Sequence, residues 1–196
     1  MPSREQLHKY QERMINFIYN TPKCALWAGL GLGKTITTLT AIVDLIDSMA
    51  VSRVLIIAPL RVANSVWHVE AARWQHTKHL KFSIVTGSEK ERLAALHKTA
   101  DVYVINRENV TWIVEHYAKK WPFDMIVLDE ASSFKSSSSQ RFKSLRKTIP
   151  FTNRLVELTG TPSPNGLLDI WSQMYLLDCG ERLGRSMTAY KQRFFE

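Results

Sequence analysis

The run Ala28-Gly29-Leu30-Gly31-Leu32-Gly33-Lys34-Thr35 combines three glycines, an ammonium and a hydroxyl at a spacing suited to holding phosphates. Glycines permit a backbone path whose N–H groups converge on phosphate oxygens, and a helix starting there adds the positive end of its dipole. In such a loop Lys34 supplies a positive charge and Thr35 sets its hydroxyl on Mg²⁺. Loops of this kind usually open on glycine; Ala28 stands first here, which calls for ordinary backbone angles at that position.

A second cluster is Met125-Ile126-Val127-Leu128-Asp129-Glu130, an apolar run ending in two adjacent carboxylates. Two acids at the end of a buried strand are costly unless a cation or a reaction needs them. Beside a phosphate loop they divide the work: Asp129 holds Mg²⁺ through its water shell, and Glu130 orients and polarises an attacking water. Together the two clusters predict an ATP·Mg²⁺ site with Lys34, Asp129 and Glu130 as its catalytic residues.

The elements that must carry these residues are legible from hydrophobic periodicity. Leu7, Tyr10, Met14, Phe17 and Ile18 recur at helical spacing and predict an amphipathic helix over Arg4 to Tyr19. The run Cys24 to Trp27 leads into the glycines, and Thr35 to Ala50 predicts a helix. Further apolar runs fall at Val54 to Ala58, Phe82 to Val85, Val102 to Ile105, Met125 to Leu128 and Leu155 to Leu158, with helical stretches between them. Short β-branched runs alternating with helices predict an α/β fold with a mostly parallel sheet covered on both faces. Ligands of such sheets sit at the carboxyl ends of the strands, where Lys34 and Thr35, Pro59, Asn106 and Arg107, Asp129 and Glu130, and Thr159 to Thr161 all fall. The serines at 132, 133 and 136 to 139 predict a solvated loop ahead of a helix near Gln140 to Lys147.

Bulk properties set limits. A chain of 196 residues accommodates one full α/β domain, so residues 1–196 are expected to form a single unit. A net charge of +8 and a pI near 9.6 favour polyanionic partners, nucleic acid first. No apolar run reaches the ~20 residues of a membrane span and the first twenty residues lack a leader's apolar core, so neither membrane nor secretion is expected. Cys24 and Cys179 are expected to be small buried hydrophobes, and an intracellular location is the default. The histidines show no metal-ligand spacing, which predicts no zinc site. Of the six tryptophans, most at core-periodic positions, Trp121 before Pro122 is expected to be the most exposed.

The order of the motifs narrows the class. Asp129-Glu130-Ala131-Ser132, then Leu158-Thr159-Gly160-Thr161-Pro162 with Asn165 beyond, resembles the second and third motifs of superfamily 2 helicases, above all the Snf-type DNA translocases. Leu7, Tyr10 and Gln11 resemble their adenine-recognising glutamine motif, Ile57-Ala58-Pro59 the motif whose loop meets nucleic acid, and Phe134-Lys135 the short basic segment after the acids. Ser132 stands where the family often has histidine. The resemblance spans Leu7 to Asn165 and implies the first RecA-like lobe of the motor, a three-layer sandwich. It implies a role in ATP binding for Gln11, a coupling role for Thr159, Gly160 and Thr161, and sugar-phosphate contacts from Arg61, Asn106, Arg107 and Lys135. The implied partner is DNA, duplex and read without sequence preference, and the implied function is coupling of ATP hydrolysis to movement along it.

That family builds its ATPase from two lobes, the second supplying arginine fingers and half of the DNA track. This chain stops at Glu196, so the second lobe is expected to be absent and hydrolysis by the chain alone to be very slow; Arg182, Arg185 and Arg193 lack the context of a finger. Between Ala131 and Arg154 six basic residues and no acidic one give a local excess of +6, a second expected site for phosphates. A nucleotide-dependent nucleic-acid-binding module with little turnover of its own is the alternative. A small-molecule kinase would have no use for Thr159-Gly160-Thr161-Pro162. Nothing in the sequence implies an oligomer.

Overall fold

The computed structural model describes residues 1–195. Along the chain the elements are α1 (Lys9–Asn20), β1 (Lys23–Trp27), α2 (Lys34–Asp47), β2 (Val54–Ala58), α3 (Leu60–Ser65), α4 (Trp67–Arg73), β3 (Phe82–Val85), α5 (Glu89–Leu96), β4 (Val102–Asn106), α6 (Val110–Tyr117), β5 (Met125–Asp129), α7 (Gln140–Arg146), β6 (Arg154–Thr159), α8 (Ile170–Asp178) and α9 (Met187–Phe194). All strand pairings are parallel, in the order β1-β6-β5-β2-β4-β3. Strands buried on both faces cannot alternate apolar with polar residues, which is why β2 and β4 are buried at every position.

Two apolar layers enclose the sheet. On one face Ile15, Ile18, Ile42, Leu45 and Trp67 from α1, α2 and α4 pack on Val54, Ile56, Val127 and Val156. On the other, Ile113, Phe142, Trp171 and Leu176 from α6, α7 and α8 pack on Leu55, Ile57, Ile126 and Leu128. The three-layer α/β sandwich expected from the alternation of runs is the observed architecture, with the strands displaced by one residue at most at either end.

Four local expectations are corrected. The segment from Arg4 is two pieces, a 3₁₀ turn over Arg4–Gln6 and then α1, because Leu7 is extended and the Gln11 side chain caps the new start by accepting from the His8 N–H at 2.9 Å. The buried stripe of α1 is Gln11, Ile15 and Ile18, while Tyr10 and Phe17 face outward. Trp121 is buried in an aromatic cluster with Tyr117 and Phe123, and the exposed tryptophan is Trp27, 48% accessible at the end of the edge strand β1. Cys24 is buried, but Cys179 is exposed in the left-handed residue that terminates α8.

One core residue is out of keeping with its surroundings. Glu157 lies on β6 in register with Ala25 and Leu128, has no accessible surface, and neither carboxyl oxygen meets a hydrogen-bond partner among the described residues. Burial raises its pKa well above the usual carboxylate range. The folded state therefore holds a proton that the unfolded state has released. The associated stability is complete below the unfolded pKa of ~4.3 and is lost as pH rises toward the folded value, at about 1.4 kcal/mol per unit. Glu157→Gln, which does not titrate, is expected to gain stability relative to the parent as pH is raised from 5 to 8. Urea unfolding across that range checks this, and a difference independent of pH would count against a neutral Glu157.

Candidate functional site

Parallel strands bring their carboxyl ends to one edge of the sheet, where the loops after β1, β5 and β6 converge. Leu26 is in register with Leu158, and Leu158 with Asp129, so the three loops leave the sheet at one level. A cleft of about 410 Å³ opens there, lined by Gly33, Lys34, Thr35, Glu70, Asp129 and Glu130 among others. Residues separated by a hundred positions in sequence thus share one wall.

The loop after β1 has the backbone its glycines predict. Gly31 and Gly33 are left-handed, with φ of 78° and 73°, whereas Ala28 keeps a negative φ. At Gly33 the absence of a Cβ matters twice, since one built there would overlap the Gln11 amide. Gly33 also begins α2, a fourteen-residue helix whose start has no side-chain cap, so its first-turn N–H groups are left for an anion. Lys34 lies back across the loop, its Nζ donating to the carbonyls of Ala28 at 2.7 Å and Gly29 at 2.9 Å. An ammonium so placed can exchange carbonyl oxygens for phosphate oxygens with little movement. These donors, with Thr35 and Asp129 on the same cleft, fit a nucleoside triphosphate and its divalent cation.

Gln11 is buried and sits under this loop rather than along the cleft. Its Nε2 donates to the Leu32 carbonyl at 3.5 Å while its Oε1 caps α1. It ties α1 to the phosphate loop, a structural task that the sequence did not disclose.

At the end of β5 the two acids differ in setting. Asp129 accepts a hydrogen bond from the Trp67 indole N–H at 2.9 Å. Burial pushes its pKa up, and the Trp67 bond opposes that rise. Glu130 takes a left-handed backbone, φ 59° and ψ 56°, which costs a residue with a Cβ roughly 1–2 kcal/mol. It lines both the cleft and a neighbouring cavity of about 380 Å³ shared with Leu30, Gly160 and Thr161.

The β6 loop and the phosphate loop run close together: a Cβ on Gly160 would lie at an ordinary contact distance of 3.5 Å from the Ala28 carbonyl. Buried Thr159 accepts from the Thr161 N–H at 3.1 Å, and Gln173 of α8 donates to the Pro162 carbonyl at 2.6 Å. Lys135, after the acids, pairs with Asp169 at 3.7 Å, and the same carboxylate oxygen accepts from the Asn165 N–H.

The residues expected to meet nucleic acid are less uniform. Arg61 is exposed at the start of α3. Arg107 is partly exposed and paired with Glu108 at 3.4 Å. Asn106 is buried, its amide donating to Glu108 and accepting from Asn109, so it shapes the loop between β4 and α6. The basic stretch from 131 to 154 is not one free face. Lys135 is paired, Arg154 donates to the Ile18 and Tyr19 carbonyls, Arg141 donates to the Ser133 carbonyl, and Arg146 stacks on Tyr175; Lys143 and Lys147 are exposed.

Sequence reasoning missed Trp67, Glu70 and Asp169. The first two lie three residues apart on α4, but no spacing rule links Trp67 to an acid sixty-two positions later. Only the fold brings them together.

Known proteins share this arrangement. A family model described as the SNF2-related domain matches residues 10–194. "Putative protein p41" of Acyrthosiphon pisum secondary endosymbiont phage 1 is 41% identical over 194 residues, 95% of this chain and 42% of that protein. The mouse "DNA excision repair protein ERCC-6-like" is 30% identical over 197 residues, 94% of this chain and 16% of its own length. A solved structure titled "Sulfolobus solfataricus SWI2/SNF2 ATPase core in complex with dsDNA" superposes with a TM-score of 0.82 at 25% identity, covering 96% of this chain and 39% of that one. The chain thus spans less than half the length of these relatives. Among the described residues no helix is long and apolar enough to cross a membrane.

Proposed function

Because the chain belongs to the SNF2-related domain family, we propose that it is the ATP-binding first lobe of a two-lobed motor that couples ATP hydrolysis to movement along duplex DNA. The observation that carries this reading is the cleft joining Gly33, Lys34 and Thr35 to Asp129 and Glu130, with Gly160 and Thr161 on a neighbouring cavity that shares Leu30 and Glu130. In this reading the α2 amides and Lys34 hold the phosphate chain, while Thr35 and Asp129 would hold Mg²⁺, which when bound would neutralise phosphate charge. Glu130 orients a water and takes up its proton. Thr159, Gly160 and Thr161 respond to the nucleotide through the cavity they share with Leu30 and Glu130 and transmit the change toward the DNA-facing side, where Arg61 and Arg107 grip sugar-phosphate without reading bases. The solved SWI2/SNF2 core with double-stranded DNA supports duplex as the track.

Lys34→Ala removes the one ammonium in the cleft's lining and the tie between α2 and the loop. Charge-assisted hydrogen bonds contribute about 1.5–3 kcal/mol, so ATP affinity is expected to fall roughly 10- to 100-fold. Calorimetric titration with ATP·Mg²⁺ measures it; unchanged affinity would remove the phosphate-loop assignment.

A further inference from the structure

Trp67 heads the largest side chains with no accessible surface, and it spends its single hydrogen-bond donor on the acid that ends β5. The indole N–H takes Asp129 Oδ2 at 2.9 Å, and no other side chain among the described residues donates to that carboxylate. One oxygen is thereby tied to a fully buried side chain, while Asp129 itself lines the cleft and also draws on the Glu130 backbone N–H. The surrounding helix is built to hold this geometry. Trp67 opens α4, Val66 just before it and Glu70 one turn later line the same cleft, and Glu70 is itself held by the Trp74 indole N–H at 3.1 Å and by Arg73 at 3.5 Å. α4 and β5 meet through polar atoms at the cleft wall, although the rest of α4's contact with the sheet is apolar.

We propose that Trp67 is a positioning residue for Asp129: its indole N–H fixes the carboxylate so that one oxygen stays turned to the Mg²⁺ of bound ATP. This rests on the ATP reading above and adds to it a residue outside the motifs quoted from the sequence. A group that orients a metal-binding carboxylate typically governs 10- to 100-fold in metal affinity, whereas a tryptophan that only fills space would affect stability alone. Phenylalanine keeps most of the volume and removes the N–H, so it separates the two.

The test uses the 196-residue chain and a fluorescent ATP analogue, titrated once with excess Mg²⁺ and once with EDTA. Trp67→Phe is expected to lower the magnesium-dependent gain in affinity about tenfold or more while magnesium-free affinity changes less than twofold. A variant that keeps the parent's full magnesium-dependent gain overturns the proposal and leaves the ATP reading intact. A parent that does not bind the analogue under either condition removes both. Should the variant fail to fold, the parent alone decides through its ¹⁵N-labelled indoles. With ATP bound throughout, replacing EDTA by Mg²⁺ is expected to shift the Trp67 indole resonance, assigned from its contacts, and Mn²⁺ to broaden it before the other five of the six. A Trp67 resonance indifferent to both ions would likewise overturn the role.

Discussion

Joined to a second RecA-like lobe, this chain is expected to hydrolyse ATP roughly 10³ to 10⁵ times faster than it does alone, the range an arginine finger commands in phosphoryl transfer. The cleft explains why so much is left to a partner. Its lining offers one cation, Lys34, which faces the phosphates from the loop side, and no arginine. Two arginines late in the chain are engaged elsewhere: Arg182 pairs with Asp178 at 3.1 Å, and Arg193 lies over Phe194. In the proposed motor, charge developing on the transferred phosphoryl group is met on the side away from the loop by the second lobe. Fusing the chain to the remaining lobe of a longer relative and comparing phosphate release by the fusion with release by the chain alone measures the difference. Duplex DNA should accelerate the fusion further. Equal rates for chain and fusion, with no response to DNA, would sink the motor reading and leave a nucleotide-dependent binding module in its place.

What the sequence disclosed and what it withheld follow from the range of the interactions involved. The α/β sandwich was legible because each strand is a contiguous apolar run and each loop at the carboxyl edge begins where a run ends, as at Leu128-Asp129 and Leu158-Thr159. The left-handed angles at Gly31 and Gly33 were legible for the same reason, glycine type and local spacing being sufficient. Pairings between distant segments were not. Trp67 with Asp129, Lys135 with Asp169 and Arg154 with the end of α1 depend on how helices pack over the sheet. Composition misled where it counted charges without their partners: a stretch with an excess of +6 is partly consumed by internal bonds. Gln11 shows the intermediate case. Its residue type and place before the loop drew attention to it, yet its observed bonds hold the loop and cap a helix.

Glu130→Gln is expected to reduce ATP hydrolysis by the two-lobed fusion about 10²- to 10⁴-fold, the usual contribution of a general base, while leaving ATP affinity within about twofold, because the phosphate-holding donors all lie on the β1 loop and α2. The backbone at this position supports a chemical task over a structural one. A left-handed conformation suits glycine or asparagine far better than glutamate, and no hydrogen bond from the Glu130 side chain to the protein compensates for it among the described residues. What the conformation achieves is a placement: the side chain borders the nucleotide cleft on one side and the Leu30, Gly160 and Thr161 cavity on the other. Under the proposed function, a base there would reach an attacking water on one side and the Gly160 loop on the other. Gln keeps the length and one acceptor oxygen but cannot take up a proton. Single-turnover phosphate release, read beside equilibrium ATP binding, separates the two effects. If Glu130→Gln lost affinity and rate in equal measure, Glu130 would be a binding residue, and the proton would have to leave through another group.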